Sequence, residues 1–312
     1  MTDLIAQLVE EIGPGHMAST AYDTAWAARL GEIDWDISSK SLAWLAENQL
    51  PDGSWGAPAP MYYHDRVLCT LAAMIALTYR GRRGHDKVQI ENGGLALERI
   101  VGGATLGLQS DPNGATVGFE MIAPTLAAEA ERLGIIKPQG NRILGRLSQM
   151  REKKLAYLKG RMINRHVTMA FSSELAGIDS QHMLDIDNLQ EPNGSVGLSP
   201  SATAYFAAYV RKGDVRSLEY LRQTAKPDGG QPNVSPFDVF EVAWSLWNLS
   251  LIPGLQKTPG LKSHIDFLSN AWEPKLGVAF STAYSIKDSD DTVITYNTLL
   301  RYGIEKDMAS IL

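Results

Sequence analysis

Residues 49–56 read Gln-Leu-Pro-Asp-Gly-Ser-Trp-Gly, and residues 190–197 read Gln-Glu-Pro-Asn-Gly-Ser-Val-Gly. A fainter copy, Pro-Asp-Gly-Gly, lies at residues 227–230. Proline with aspartate or asparagine initiates turns, and the glycine that follows can adopt positive φ. The Trp or Val after the glycine is expected to pack back on the flanking helices. A single copy is typical of an ordinary helix–helix corner, but recurrence favours an α-helical barrel built from repeated hairpins.

The spacing of apolar residues is helical along almost the whole chain. Residues 4, 5, 8, 9 and 12 form one apolar stripe, which the Gly-Pro-Gly at 13–15 ends. Ser38 and Ser39 are predicted to cap a second helix, and Pro124 to open another that ends at Gly134. Strand-like alternation is scarce, so the predicted fold class is all-α, with stacked helical hairpins. Further helices are predicted over residues 202–210, 215–224, 237–251, 263–272 and 292–302.

The bulk composition is typical of a globular protein, because 44% of the 312 residues are hydrophobic and 21% are charged. The net charge of −6, with no basic stretch, argues against a nucleic-acid partner. The first ten residues lack the basic start of a secretory signal, and no apolar run is long enough to span a membrane. The single cysteine, Cys69, lies in an apolar run and is predicted to be buried rather than catalytic. We therefore expect a cytoplasmic protein.

An acidic motif, Asp288-Ser289-Asp290-Asp291, directly precedes an apolar helix. Three carboxylates within four residues repel one another, so at least one is expected to hold its proton tightly in a dry site. Such a carboxylic acid could protonate an electron-rich alkene in an apolar cavity. The alternative is a solvated helix cap. A calcium loop is disfavoured, because Val293 and Leu299 stand where that loop needs glycine and glutamate.

Four stretches, in this order, resemble a known family. They are STAYDTAW at 19–26, NQLPDGSWG at 48–56, NGSVGLSPSATA at 193–204 and the acidic motif at 288–291. Together they resemble the class II diterpene cyclases of the copalyl, halimadienyl (tuberculosinyl) and kolavenyl diphosphate synthase type, and most closely the bacterial halimadienyl/kolavenyl branch.

The resemblance implies a βγ-type fold of two α-helical (α/α) barrel domains. Residues 1–18 would supply the first helix of the β domain and a linker, and residues 19–235 would form a complete γ domain. Residues 236–312 would be the N-terminal part of the β domain, with the remainder of β absent from this chain. A fragment, a natural half that pairs with a second chain, a degenerate prenyl-diphosphate binder and a purely structural helical scaffold all fit that expectation. Self-association or pairing with a C-terminal half is expected, because an open barrel exposes its apolar inner face.

The resemblance also implies a reaction. The chain would convert geranylgeranyl diphosphate to a bicyclic diterpenyl diphosphate with the diphosphate retained. Asp290 would be the general acid that protonates the terminal alkene, and Asp288 and Asp291 would tune it. Trp244, Trp272 and Tyr284 are candidates to line the cation's path, although plain core packing is an equal alternative for each.

The terminating base departs from the family pattern. Plant copalyl enzymes hold a water with a histidine and an asparagine. Asn233 matches the asparagine, but Ser173 stands at the histidine position. The resemblance therefore favours a rearranged product over a copalyl one.

The diphosphate and Mg²⁺ would be held by polar groups of the γ domain. Lys154 falls near the family's phosphate-binding lysine. Asp111 and Glu120 flank the segment that is acidic in the family and are candidate Mg²⁺ ligands. For all three residues a solvated surface role is the alternative.

Overall fold

The computed structural model of the protein describes residues 2–80, 83–102, 108, 115, 118–137, 144–252 and 258–308. Within these ranges the secondary structure is almost entirely helical, which confirms the predicted all-α class. The chain divides into two compact units, one formed by Ala18–Asn233 and the other by Met1–Met17 together with Val234–Leu312. The predicted domain boundaries, after residues 18 and 235, lie one and two residues from these divisions.

The larger unit contains helices α2 to α9 and shorter helical turns. The α-helices are α2 (Ala21–Ala28), α3 (Trp35–Glu47), α4 (Tyr63–Tyr79), α5 (Gly84–Gly102), α6 (Phe119–Arg132), α7 (Leu144–Ala156), α8 (Pro200–Tyr205) and α9 (Val215–Thr224). A 3₁₀ segment covers Thr168–Ala176, two short ones cover Gln181–Met183 and Ile186–Asn188, and a π-helical turn over Phe206–Val210 continues α8.

Helix α2 lies at the centre of this unit. Its sequence, AYDTAWAA, is rich in alanine, and seven of its eight residues are buried. Small side chains let neighbouring helices approach closely on every side, and α2 packs against α3, α4 and α8. Asp23 and Thr24 are carried into the core on this helix, where each needs a hydrogen-bond partner.

The three copies of the turn sequence have the same local structure. The Asp or Asn side chain accepts the backbone N–H two residues later, from Ser54, Ser195 and Gly230 respectively. The turn glycine is left-handed in each copy, with φ of 84° at Gly53, 88° at Gly194 and 89° at Gly229. Trp55 and Val196, which follow the glycines, are fully buried. The predicted turn, with its glycine and its inward-packing residue, is therefore confirmed.

Each turn glycine also touches the backbone of a neighbouring helix. A Cβ at residue 53 would lie 2.6 Å from the Asn92 carbonyl oxygen, and a Cβ at residue 194 would lie 2.6 Å from that of Arg216. A Cβ at residue 229 would lie 2.8 Å from the Lys40 carbonyl oxygen. Each turn is thus a close packing contact. Because glycine has no side chain, the backbone of the neighbouring helix can approach the turn closely.

Two short strands, β1 (Ser19–Thr20) and β2 (Gln231–Pro232), pair antiparallel at the two ends of the larger unit. Residue alternation did not predict them. The pairing holds the first and last residues of the larger unit side by side, because Ser19 lies opposite Pro232 and Thr20 opposite Gln231.

The smaller unit packs α1 (Thr2–Glu11) with α10 (Asp238–Leu249), α11 (Leu261–Ala271) and α12 (Ser289–Arg301). Val9 and Ile12 of the predicted apolar stripe enter its core, whereas Leu4 and Leu8 stay exposed. The remaining core residues come mainly from the three later helices; they include Val239, Val242, Leu246, Leu268, Trp272 and Leu299.

Two predicted helix starts are wrong. Helix α3 begins at Trp35 because Asp34 caps it by accepting the Ile37 N–H at 3.0 Å, while Ser38 is buried and donates to the Ala28 carbonyl oxygen. Helix α6 begins at Phe119, and Pro124 lies inside it, where the proline only removes one early backbone hydrogen bond. The predicted end of α6 at Gly134, which has a φ of 66°, is consistent with the structure.

Cys69 is buried, as predicted, and burial followed by the charge of Asp65 raises the pKa of its thiol well above the ordinary value. A thiol held in its neutral form is a poor nucleophile. In the ranges given above, no helix is both long and apolar enough to cross a membrane.

The close contacts of the turn glycines with neighbouring helices predict how glycine substitutions affect stability. We expect Gly53→Ala and Gly194→Ala each to destabilise the larger unit by about 1–3 kcal/mol, because the new Cβ meets a backbone carbonyl and the φ is left-handed. Chemical denaturation followed by circular dichroism measures this. The matched control is Gly84→Ala, since a Cβ at residue 84 meets nothing within 4 Å. Equal stability of all three variants would contradict the prediction that Gly53 and Gly194 leave no room for a side chain.

Candidate active site

The acidic motif forms the start of helix α12. Asp288 is the N-cap, and its carboxylate accepts the Asp291 backbone N–H at 2.9 Å. Asp288 therefore acts as a helix cap, as the alternative interpretation predicted. Asp290 and Asp291 do not cap the helix, so a different role is open to them. The side-chain oxygens of Asp288, Asp290 and Asp291 lie within 4.8 Å of one another.

The three acids differ in their exposure to solvent. Asp290 is exposed, Asp288 is half-buried, and Asp291 is buried with 4% of its surface exposed. In the described part of the chain, Oδ1 of Asp291 has no hydrogen-bond partner. A buried carboxylate oxygen that nothing satisfies is costly in its charged form.

This environment favours a proton within the motif. Burial, and then the negative charges of Asp288 and Asp290, raises the pKa of Asp291 to about 7. Burial and the neighbouring Asp290 also raise the pKa of Asp288, although the Asp291 N–H partly opposes this. Asp288 and Asp291 interact and therefore titrate as a pair, and this pair favours holding a proton near neutral pH.

A clamp from the preceding loop holds the motif in place. The Val278 N–H donates to Thr292 Oγ1 at 3.0 Å, and the Thr292 hydroxyl lies 3.1 Å from the Val278 carbonyl oxygen. The Asp288 N–H donates to the same carbonyl oxygen. Both sides of the helix start are thus fixed to one residue, which restricts the positions of the acids.

The predicted lining aromatics lie in the same unit, in different settings. Trp272 is buried in the core, with its ring 6.2 Å from that of Tyr296. Trp244 is 39% exposed on α10. Tyr284 lies in the loop before α12, with its ring 4.6 Å from that of Phe280. The core-packing alternative therefore describes Trp272 better than it describes Trp244.

Two residues predicted to bind different ions bind each other. Lys154 of α7 forms an ion pair with Glu120 of α6, and the Glu120 side chain is 6% exposed. The third residue, Asp111, lies outside the described residues. The carboxylate of Glu120 is thus already paired with the positive charge of Lys154. At the other candidate, the buried carboxyl group of Asp291 favours a proton over a metal cation. Neither setting fits Mg²⁺ in the described part of the chain.

Ser173 and Asn233 both belong to the larger unit. Ser173 is fully buried, and its hydroxyl has no hydrogen-bond partner among the described residues. Asn233 is exposed, and its side chain hydrogen-bonds to Asp23.

A buried polar cluster around Asp23 and Glu174 was not predicted. The Tyr22 hydroxyl donates to Glu174 Oε1 at 2.7 Å. Asp23 accepts the Thr20 hydroxyl at 2.6 Å and the Ser201 N–H at 3.1 Å. The cluster joins the STAYDTAW stretch, the SPSATA stretch and the segment that holds Ser173, so three separated parts of the sequence meet there.

Neither buried acid of this cluster has a cation beside it within the described ranges. Burial raises the pKa of Glu174 to about 8, despite the hydrogen bond from Tyr22 that favours the charged form. Burial likewise raises the pKa of Asp23 to about 6, against hydrogen bonds from Thr20 and Ser201. A signal was present in the sequence, because Glu174 is a lone acid in the run MAFSSELAG at 169–177.

Comparisons with known proteins find similar sequences and similar structures. No family model matches the chain. Over 303 residues the chain is 47% identical to the "Type B diterpene cyclase" of Mycobacterium tuberculosis, covering 95% of this chain and 60% of that relative. The chain is therefore similar to a diterpene cyclase over nearly its whole length.

Other proteins similar to the chain are named as diterpenyl diphosphate synthases. The "(-)-kolavenyl diphosphate synthase TPS10, chloroplastic" of Tripterygium wilfordii is 31% identical over 315 residues, covering 97% of this chain and 37% of the relative. The crystal structure of ent-copalyl diphosphate synthase from Arabidopsis thaliana superposes with a TM-score of 0.80 at 27% identity, covering 99% of this chain and 44% of that one. The corresponding enzyme from Streptomyces platensis gives a TM-score of 0.73 at 26% identity, covering 100% of this chain and 62% of that one. The predicted helical-barrel cyclase fold is confirmed, and the chain spans less than two thirds of the length of each of these relatives.

The buried Glu174 predicts an unusual dependence of stability on pH. Its pKa in the fold, about 8, lies above the ordinary value of 4.5, so its neutral form stabilises the fold. That contribution is complete below pH 4.5 and is lost as the pH rises towards 8. We expect Glu174→Gln to gain about 1–3 kcal/mol of stability relative to wild type between pH 5 and pH 8. Thermal melts of both proteins across this range measure the difference.

The matched control is Glu98→Gln, which changes an exposed glutamate of α5. Its stability difference from wild type should be the same at pH 5 and pH 8. A Glu174→Gln difference that is equally flat would show that Glu174 ionises normally in the fold.

Proposed function

We propose that the protein is a class II diterpene cyclase that converts geranylgeranyl diphosphate to a bicyclic diterpenyl diphosphate of the halimadienyl, kolavenyl or copalyl type. The observation that carries this proposal is the cluster of three acids at the start of α12, whose side-chain oxygens lie within 4.8 Å of one another. In this cluster burial and like charges raise the pKa of Asp291 to about 7, and Asp290 is exposed. The similar proteins supply the reaction class to which such an acid belongs.

Asp290 is the proton donor in this proposal, because it is the exposed acid of the three. Its O–H bond breaks as the π electrons of the terminal alkene form a new C–H bond, which leaves a carbocation on the adjacent carbon. The proton that is transferred is the one that the acid group retains near neutral pH, so one new negative charge develops in the group. The N-terminus of α12 stabilises that charge.

The remaining assignments follow the same reasoning. Ala18–Asn233 is the γ domain, and the unit that carries the acidic motif is the N-terminal part of the β domain. Trp244 and Tyr284 offer aromatic faces to the migrating positive charge. Lys154 would have to leave Glu120 in order to reach a diphosphate, which its half-exposed side chain permits. Self-association or pairing with a further segment stays part of this proposal.

The choice of substrate draws on one relative. The Arabidopsis thaliana enzyme was crystallised with (S)-15-aza-14,15-dihydrogeranylgeranyl thiolodiphosphate, an analogue of this substrate class. Mg²⁺ has no step in the reaction proposed here. Its binding through Asp111, which lies outside the described residues, or through Glu120, once Lys154 has left that carboxylate, stays a prediction. Addition of EDTA to the assay described below tests it.

The alternative function is a non-catalytic prenyl-diphosphate-binding half or scaffold subunit. It accounts for the helical repeat equally well. It gives no reason for a carboxylic acid that keeps its proton at the start of α12, and the relatives compared here are named as cyclases or synthases. The enzyme is therefore the better proposal.

The acid assignment predicts the outcome of an activity assay. The purified chain is incubated with geranylgeranyl diphosphate, dephosphorylated, and analysed for bicyclic alcohols by gas chromatography and mass spectrometry. We expect Asp290→Ala to lower product formation by at least about 100-fold, because it removes the general acid. Asp266→Ala, which removes an acid of α11 that is ion-paired with Lys262, is the control and should leave activity unchanged.

Absence of product from the wild-type chain would contradict the proposal if it persisted after addition of the segment of the Mycobacterium tuberculosis relative that lies beyond the aligned region. Binding of the substrate measured by calorimetry, without turnover under the same conditions, would favour the alternative.

A further inference from the structure

We propose that Glu273 is a positioning residue for the acidic motif, because it holds Lys287 in an ion pair and thereby offsets the positive charge that directly precedes Asp288. This inference rests on the proposed function. It concerns a contact outside the motif, in which Lys287 Nζ lies 2.6 Å from Glu273 Oε1. Both residues belong to the same compact unit as the acids.

Lys287 is the residue whose charge could remove the proton from the motif. It directly precedes Asp288 in the sequence. A cation near a carboxyl group favours the charged form of that group, so a lysine paired with Asp288 or Asp290 would promote loss of the proton that the proposed reaction needs. Among the described residues, the ion pair that Lys287 forms is instead with Glu273, in the loop between α11 and α12.

The turn that begins at Glu273 is held against the start of α12. The Glu273 N–H donates to the Gly277 carbonyl oxygen at 3.0 Å, and the Gly277 N–H donates to the Glu273 carbonyl oxygen at 2.9 Å. A Cβ at residue 277 would overlap the Thr292 hydroxyl, so the turn contacts α12 directly. The next residue, Val278, makes the clamp on Asp288 and Thr292 described above. These contacts restrict where the Glu273 carboxylate can lie.

The two partners of the ion pair differ in exposure. The side chain of Lys287 is 19% exposed and that of Glu273 is 51% exposed. A largely buried ammonium group needs an anion beside it. Because Glu273 is half exposed, the pair itself adds little to the stability of the fold. Its main consequence is electrostatic, since the paired carboxylate cancels most of the field that Lys287 would otherwise exert on the acids.

Other titratable groups lie on α12 and on the elements that pack against it. They are Asp238 and Glu241 of α10, Lys262, His264 and Asp266 of α11, Lys275 and Tyr284 of the loop between α11 and α12, and Tyr296 and Arg301 of α12 itself. After burial, Asp288 and Asp290 have the largest effects on the pKa of Asp291. Variants of Glu273 and Lys287 leave all the other groups unchanged, so a shift that follows the charges of these two residues can be assigned to them.

The two charges of the ion pair have opposite effects on the motif. Loss of the Glu273 charge leaves Lys287 uncompensated, and the added positive charge lowers the pKa of the nearby carboxyl groups. Loss of the Lys287 charge leaves Glu273 uncompensated, and the added negative charge raises that pKa. Loss of both charges restores the original balance. An ion pair that serves only to hold the loop gives no reason for opposite shifts or for their cancellation.

The experiment compares wild type, Glu273→Gln, Lys287→Met and the variant that carries both substitutions. Carbon-13 NMR measures the titration of the aspartate carboxyl groups. A product assay with geranylgeranyl diphosphate measures the pH above which cyclisation declines, because the donor must be protonated. We expect both midpoints to fall by about 0.5 pH unit in Glu273→Gln, to rise by a similar amount in Lys287→Met, and to return to the wild-type values in the double variant. High salt should reduce the shifts, since Glu273 is half exposed.

Asp266→Asn is the matched control, because it leaves Lys262 of α11 uncompensated in the same unit. It should shift neither midpoint, and circular dichroism should show all five proteins folded. Shifts of the same sign in the two single variants, no return in the double variant, or an equal shift in Asp266→Asn would each show that Glu273 does not act through the charge of Lys287. The proposed function would stand in those cases. If wild type forms no cyclised product, the proposed function fails, and the role of Glu273 in the reaction fails with it.

Discussion

Burial of a carboxyl group without a cation beside it is the constraint on which the chemistry of this protein depends. Six of the buried acids in the described ranges form two contrasting groups. Glu129 pairs with Arg29, Asp34 with Arg222 and Glu120 with Lys154, and these ion pairs link separate elements of the larger unit. Asp291, Glu174 and Asp23 have no such cation and are pushed towards their neutral forms. Because removing a carboxylate from water is costly, the pKa of each member of the second group is raised.

The fold could be predicted from the sequence where local chemistry decides it. The turn copies at residues 49–56 and 190–197 contain their own hydrogen-bond partners and their own left-handed glycine, so their structure follows from a few neighbouring residues. Helix starts were less predictable. Both Asp34 and Ser38 are good caps, and the choice between them depends on a buried hydrogen bond from Ser38 to Ala28, ten residues away. The short pairing of β1 with β2 depends on residues more than two hundred positions apart, which no alternation pattern reveals.

The same distinction applies to the candidate site. The acids at residues 288–291 are close in sequence, so their repulsion and the capping role of Asp288 could be inferred without a structure. Their unequal burial could not, because it depends on how α12 packs against α10 and α11. Lys154 and Glu120 were predicted as separate ion-binding groups, and only the packing of α6 on α7 shows that they neutralise each other. The hydrogen bond between Tyr22 and Glu174 spans 152 positions and was hidden for the same reason.

The unpaired buried acids differ in what surrounds them. At the start of α12 the groups nearest to Asp291 are other carboxylates, which add to the effect of burial and raise its pKa to about 7. Around Glu174 the hydroxyls of Tyr22 and Ser201 oppose burial, and the pKa of Glu174 is still raised to about 8. Burial therefore decides the state of Glu174 against its hydrogen bonds, whereas at Asp291 like charges act together with burial. The first acid is a constraint on the stability of the larger unit, and the second is part of a cluster with an exposed member, Asp290, that can pass a proton on.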